Sequence, residues 1–116
     1  MALAVICPVI GKYPRRNEIL IYGGGIHFSK EYVLNADGRP VFGYLTDIHG
    51  NDFTGIQYHS PVISLSQEHG ILQMPDEQMN EMRIGDMVVI YPVHACLTAN
   101  LYKQYVTFEK EIIERF

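Results

Sequence analysis

The sequence predicts an all-β fold, an antiparallel β-barrel or sandwich of six to eight short strands with at most one short helix. Three observations predict it. Short β-branched apolar runs recur about every 8–12 residues, the spacing of an antiparallel all-β domain. Clusters containing Gly, Asn, Asp or Pro separate them. Only one stretch, residues 74–83, places apolar residues at a helical spacing. With 116 residues, 47% hydrophobic and 19% charged, the chain reads as one folded domain over residues 1–116 with a core of its own.

The first element is Leu3-Ala4-Val5-Ile6-Cys7-Pro8-Val9-Ile10, an apolar, largely β-branched run that reads as a buried strand. Pro8 has no N–H to give to a ladder and marks an edge or a bulge. A polar turn over residues 12–17 leads to a second strand, Glu18-Ile19-Leu20-Ile21-Tyr22, expected to form a hairpin with the first. Gly23-Gly24-Gly25 ends that strand. Glycines there admit positive φ or a close approach of backbone, so the loop is either a tight barrel corner or a place where a ligand comes near. It is not a dinucleotide fingerprint, because the spacing is wrong and no helical pattern follows.

Asn35-Ala36-Asp37-Gly38-Arg39-Pro40 is a turn, with Asp-Gly supplying positive φ. Val41-Phe42-Gly43-Tyr44-Leu45 is the next strand, and residues 46–55 read as a polar loop with His49-Gly50-Asn51-Asp52 at its tip. Pro61-Val62-Ile63-Ser64-Leu65 resumes the β pattern, Ser66-Gln67-Glu68-His69-Gly70 closes it, and Ile71-Leu72-Gln73-Met74 follows. The helical stretch comes next, with Asp76 placed to cap it and Met79 and Met82 on one face. Gly85-Asp86 turns into Met87-Val88-Val89-Ile90-Tyr91, the most strand-like run of the chain. Residues 102–109 alternate loosely, and residues 111–116 end the chain.

Charge and composition exclude several classes. Net charge is −4 and Arg15-Arg16 is the only basic pair, which argues against nucleic acid as a partner. No apolar run approaches the ~18 residues of a membrane span. Residues 1–10 are interrupted by Pro8 and lack a charged leader, so they do not read as a signal peptide. Two cysteines cannot make a disulfide framework. A Cys7–Cys96 bridge is possible in principle, but reduced thiols in a cytoplasmic chain are the expectation.

The residues that carry chemistry converge on His94 and Cys96, two positions apart just after the last strong strand. In an extended backbone such residues share a face, and an imidazole and a thiolate can then meet on one cation. Taken singly, Cys96 suits a small buried position and His94 a satisfied core or surface one. A closed structural zinc site needs four protein ligands, so a metal held here has open positions of the catalytic kind. Glu68-His69, beside Gly70, is either an exposed strand end or a third ligand or acid/base group. His27 and Lys30 form a further pair with the same two readings, and His49 and His59 receive no role.

Three motifs carry a resemblance to a known family. Pro92-Val93-His94-Ala95-Cys96-Leu97-Thr98, preceded by Gly85-Asp86 and an apolar strand, resembles the P-x-H-x-C-x-T signature of the D-serine dehydratase-like domain. That domain is the C-terminal part of D-serine dehydratases, D-threonine aldolases and related alanine racemase-like, fold-type III pyridoxal-phosphate (PLP) enzymes. Leu65-Ser66-Gln67-Glu68-His69-Gly70 resembles the family's L-S-E-E-H-G segment. Tyr22-Gly23-Gly24-Gly25-Ile26-His27-Phe28-Ser29-Lys30 resembles its D-x-G-x-x-x-x-S segment in a G-G-x-x-H-x-S-K variant. The motifs come in the family's order and span nearly the whole chain; the His-x-Cys motif is the specific one.

The resemblance implies a two-domain parent, a lyase acting on β-hydroxy D-amino acids. An N-terminal TIM-like barrel would hold pyridoxal phosphate on a lysine, and this β-domain would bring zinc or another divalent metal, held by His94 and Cys96. D-threonine aldolases have His-x-Asp, so Cys96 points to the dehydratase side. The metal would polarise the β-hydroxyl while the cofactor stabilises the Cα carbanion. Glu68 and His69 would be catalytic neighbours, and His27 would face the cofactor. The implied partners are the N-terminal barrel domain, a D-amino acid substrate and a second copy in a homodimer, with neither nucleic acid nor membrane. A barrel of about 250 residues does not fit here, and Lys30 is not in the cofactor-lysine motif. Gly23 or Gly24 replaces the family's Asp, and Gln67 one Glu. The expectation is a chain cut at a domain boundary, inactive alone and self-associating through surface meant for the barrel. The alternatives are an aldolase or racemase parent, or a non-enzymatic β-barrel binding module.

Overall fold

Strand β1 (Val5–Tyr13) sends Cys7, Val9 and Gly11 inward and Ile6 and Ile10 outward, the period of two that makes one strand face a core face. In the computed structural model, which describes residues 4–28, 30–49, 52–93, 104–106 and 112–114, this strand opens a closed barrel. A 3-10 turn at Pro14–Arg16 and a left-handed Asn17 (φ 54°) reverse the chain into β2 (Glu18–Ile21). Val9 lies opposite Ile21 and Tyr13 opposite Glu18, so the expected hairpin forms. Pro8 sits opposite Met87, and the β1–β2 register slips just beyond it, between Val9 and Gly11. The proline therefore marks a bulge rather than an edge.

A small hairpin follows, β3 (Val33–Leu34) and β4 (Pro40–Val41), antiparallel to each other. Its turn is organised by Asn35, whose Oδ1 accepts the N–H groups of Asp37 and Arg39 at 2.9 and 3.0 Å. Gly38 alone supplies the positive φ, at 76°. The remaining barrel strands are β5 (Gly43–His49), β6 (Asp52–Leu65), β7 (Gly70–Gln73) and β8 (Met87–Pro92). Their order around the barrel is β1-β2-β7-β6-β5-β8, with β8 returning to β1 through Val5 opposite Ile90 and Cys7 opposite Val88. Closure leaves no barrel edge open for pairing. β9 (Gln104–Val106) and β10 (Ile112–Glu114) form a separate two-stranded ladder.

The all-β barrel is thus the observed class, and two details differ from expectation. Most of the polar residues 46–55 are strand rather than loop: β5 runs to His49 and β6 starts at Asp52, with Thr46 opposite Ile56 and Asp47 opposite Gly55, while residues 50 and 51 of the expected tip lie outside the described residues. Backbone pairing from an established hairpin register overrides a polar composition there. The second difference is the helix count. The helix expected near residues 74–83 is α2 (Asp76–Glu81), but a second, α1 (Gly25–Phe28), stands where the sequence predicted only a glycine loop.

The N-cap of α2 is Pro75 rather than Asp76, with no side-chain cap, while Asp76 and Glu77 lie in the first turn where the helix dipole favours acids. Lys12 Nζ donates to the Met82 carbonyl at 2.9 Å and so ties down the other end of α2. On its inner side, Ser60 Oγ donates to Gln78 Oε1 at 2.6 Å, and the Gln78 amide donates to Gln57 Oε1. Met79 is buried and Met82 packs against the core.

The core runs through the barrel as Cys7, Val9, Ile19, Ile21, Leu45, Val62, Leu72, Val88 and Ile90, joined by Phe28, Met74 and Met79. Each fully buried aliphatic side chain contributes about 1.5–3 kcal/mol relative to exposure. Cys7 is a free thiol, and burial pushes its pKa up to about 12.

Candidate functional site

Two loops meet at one mouth of the barrel. β2 and β7 are antiparallel neighbours with Ile21 opposite Gly70. The residues that leave β2 (22–24) and the residues that enter β7 (66–69) are therefore side by side. Backbone hydrogen bonds join them: Gly25 N–H to Ser66 O at 2.7 Å and Ile26 N–H to Gln67 O at 3.0 Å. These are the first amides of α1, which have no partner within a helix, so the neighbouring loop caps it. This explains a helical turn that no local pattern announces.

Gly24 makes the contact possible. A Cβ on it would lie 2.5 Å from His69 N and Ser66 O and 2.6 Å from Glu68 C, all of them backbone. The glycine triplet serves close approach; none of its members has positive φ. The 66–69 loop is braced in turn. Ser66 N–H donates to His69 O at 2.9 Å, and His69 N–H donates to Ser66 Oγ at 3.2 Å.

The result is a cluster of side chains. Tyr22, 43% exposed, has the His27 ring edge-on at 5.2 Å and the His69 ring edge-on at 5.8 Å. His27 Nδ1 accepts the Gly24 N–H at 3.0 Å. Burial lowers the His27 pKa from its ordinary value, and the Glu68 carboxylate acts in the opposite sense. Glu68 itself is exposed and His69 half-buried. The fold thus brings together Glu68, His69 and His27, three residues that the sequence offered as two separate constellations. Lys30 also lies nearby, its Cε 2.8 Å from where a Cβ on Gly25 would be. Tyr22 was missed; the only sequence signal for it was an aromatic at a strand end directly before the glycines.

His94 and Cys96 lie outside the described residues. Among the described residues, no group of three or more His, Cys, Asp or Glu side chains could hold a metal. The course of the preceding strand is nevertheless informative. β8 ends at Pro92, opposite Gly43, and Val93 N–H donates to Phe42 O at 3.2 Å. Because β8 is antiparallel to β1 and β1 to β2, the end of β8 and the end of β2 share one mouth of the barrel. Of the other two histidines, His59 is exposed on β6, far from this mouth in register, beside a cleft also lined by Gln57, Pro75 and Gln78.

Comparison with solved structures identifies the architecture first. An alanine racemase-like protein from Idiomarina loihiensis superposes over 95% of this chain and 30% of its own length, with a TM-score of 0.74 and 27% identity. D-threo-3-hydroxyaspartate dehydratase from Delftia sp. HT23 matches over 97% of this chain and 31% of its own, with a TM-score of 0.75 and 20% identity, a likeness of fold. The barrel is therefore of the kind found in alanine racemase-like proteins.

The particular family follows from sequence. Residues 2–108 match the family described as "Putative serine dehydratase domain", and the chain belongs to that family. It is 28% identical to D-serine dehydratase of Dictyostelium discoideum over 120 residues, covering 97% of this chain and 28% of that protein. It is 30% identical to D-serine dehydratase of Saccharomyces cerevisiae over 114 residues, covering 92% of this chain and 25% of that protein. The chain spans about a quarter of the length of these relatives.

Proposed function

We propose that this chain is the metal-binding β-domain of a PLP-dependent lyase that eliminates the β-hydroxyl of a D-amino acid, in the manner of a D-serine dehydratase. The observation that carries this reading is the match over residues 2–108 together with D-serine dehydratase relatives that align along almost the whole chain. The lyase class is common to those relatives; zinc, the cofactor and the substrate are the finer part of the proposal.

His94 and Cys96 would hold the metal. An imidazole and a thiolate are zinc donors, and two protein ligands leave positions for water or substrate. Two solved forms of the Delftia dehydratase support the assignment. One is a cysteine-to-alanine mutant in the metal-free form, the other a histidine-to-alanine mutant, at positions two apart. When bound, zinc supplies Lewis-acid polarisation of the hydroxyl oxygen, and pyridoxal phosphate supplies a sink for the Cα–H electrons. This chain's own residues do the rest. Glu68 and His69 stand at the mouth as proton-handling neighbours, Tyr22 spaces the two imidazoles, and His27 faces the cofactor side. The cofactor is held by an N-terminal barrel domain of the full-length protein, which works in the cytoplasm as a homodimer. Among the described residues no helix is long and apolar enough to cross a membrane.

The test is made on the full-length protein. With pyridoxal phosphate and zinc present it releases a 2-oxo acid and ammonia from D-serine or a related β-hydroxy D-amino acid, and elemental analysis finds near-stoichiometric zinc. The chain of residues 1–116 alone shows no turnover. A His94→Ala, Cys96→Ser double mutant that kept its zinc would overturn the ligand assignment. A full-length protein inert toward every β-hydroxy D-amino acid would overturn the lyase reading.

A further inference from the structure

The Gly24 N–H to Nδ1 bond at 3.0 Å restricts what His27 can do. A ring nitrogen that accepts a hydrogen bond presents its lone pair to that donor, so the neutral ring carries its proton on Nε2. Neither nitrogen is then free to bind a cation: Nδ1 is committed to the backbone amide and Nε2 bears hydrogen. The same reasoning removes His27 as a general base, because its one lone pair is already engaged. What the ring retains is a donor. Among the described residues, no acceptor is hydrogen-bonded to Nε2–H, and the edge-on contact with Tyr22 at 5.2 Å fixes the direction of the ring.

Glu68 decides which acceptor suits that donor. Its backbone lies against Gly24, with its carbonyl carbon 2.6 Å from where a Cβ on that glycine would be, and the same Gly24 holds the His27 ring through its N–H, so the carboxylate belongs to the same loop contact as His27. A phosphate dianion placed on Nε2–H would meet this charge with the wrong sign. An amino acid zwitterion meets both groups with the right sign, its carboxylate toward His27 and its ammonium toward Glu68. We propose that His27 is a specificity-determining residue that donates from Nε2–H to the carboxylate of the incoming amino acid, with Glu68 on the ammonium side. The proposal rests on the reading that the full-length protein acts on D-amino acids, and it names the residue that selects them.

Two measurements on the full-length protein with its cofactor test it. The first is the 15N spectrum of labelled histidine, with His27 assigned through His27→Gln. The expected spectrum is that of a neutral ring with Nδ1 unprotonated and Nε2 protonated. D-alanine, which has no β-hydroxyl to eliminate, should shift the Nε2–H signal saturably, and inorganic phosphate should not. A ring protonated on Nδ1, no response to D-alanine, or a response to phosphate alone would overturn the proposal. The second is kinetic. His27→Asn preserves an acceptor for Gly24 N–H but loses the donor, and should raise KM for D-serine about tenfold, the worth of one hydrogen bond, with kcat within a few-fold. His27→Gln, whose amide reaches the Nε2 position, should recover most of that loss, and both variants should keep their zinc. Loss of zinc, or a collapse of kcat at unchanged KM, would overturn it. If the wild-type protein turned over no D-amino acid while D-alanine still shifted His27, the lyase reading would fall and the donor role would stand.

Discussion

Gly24 and Gly38 are glycines for different physical reasons, and substitution separates them. At Gly24 the backbone is ordinary but the space is taken by the 66–69 backbone, which cannot swing aside as a side-chain tip would. At Gly38 the space is open but φ is 76°. Gly24→Ala is expected to cost on the order of 3 kcal/mol, the upper end for overpacking, and to part the two loops that position His27 and His69. Gly38→Ala is expected to cost about 1 kcal/mol through the left-handed backbone alone. Urea unfolding of both variants measures the difference; equal costs would show that the loop contact at Gly24 yields easily. The same crowding reaches one residue back, where a Cβ on Gly23 would lie 2.7 Å from Cys7 Sγ. The mouth of the barrel is thus packed directly onto its core, and changes at the site propagate to stability.

At the scale of elements, α2 is held by a polar clasp as well as by Met79. Ser60 is fully buried, and its hydroxyl donates to Gln78 Oε1. Gln78→Leu leaves that hydroxyl without this acceptor and is expected to cost about 1–3 kcal/mol. Ser60→Ala removes the group that needs a partner and should cost less, and the double mutant should fall short of the sum. Denaturant midpoints of the three variants check this, and a neutral Gln78→Leu would show that water replaces the clasp. These elements also show what the sequence could disclose. The strands with a strong β-branched pattern, β1, β2 and β8, were legible because local periodicity reports local burial. The extension of the β5–β6 hairpin was not, because polar residues of 46–49 and 52–55 pair through backbone in a register set elsewhere. α1 was not, because its capping acceptors, Ser66 and Gln67, lie some forty residues away in sequence. Barrel closure was open between two architectures, since the pairing of β1 with β8 is a long-range choice. The site divides the same way. His27 and Glu68-His69 were visible as motifs, but their union around Tyr22 required the pairing of β2 with β7.

For the whole molecule, the distribution of exposed apolar side chains bears on how the domain is used. Eleven large apolar side chains are exposed among the described residues, and five of them, Tyr22, Ile26, Tyr32, Val33 and Leu34, fall within residues 22–34. That stretch contains the candidate site residues Tyr22 and His27 and strand β3. Contiguous apolar surface marks contacts with other protein, whereas scattered single residues need no explanation, and these five are grouped along the chain rather than scattered. In the proposed parent this stretch would face the cofactor barrel, and an active site shared between domains would also exclude water from the reaction. Residues 1–116 expressed alone would leave the surface uncovered, and a net charge of only −4 offers little electrostatic repulsion between copies. The chain is therefore expected to self-associate reversibly. Sedimentation velocity should show an average mass that rises with concentration. Leu34→Glu combined with Val33→Thr should shift the distribution toward monomer without altering the unfolding midpoint, since both side chains are exposed. A strict monomer at high concentration, or self-association unchanged by the double substitution, would show that this face is not the one that seeks a partner.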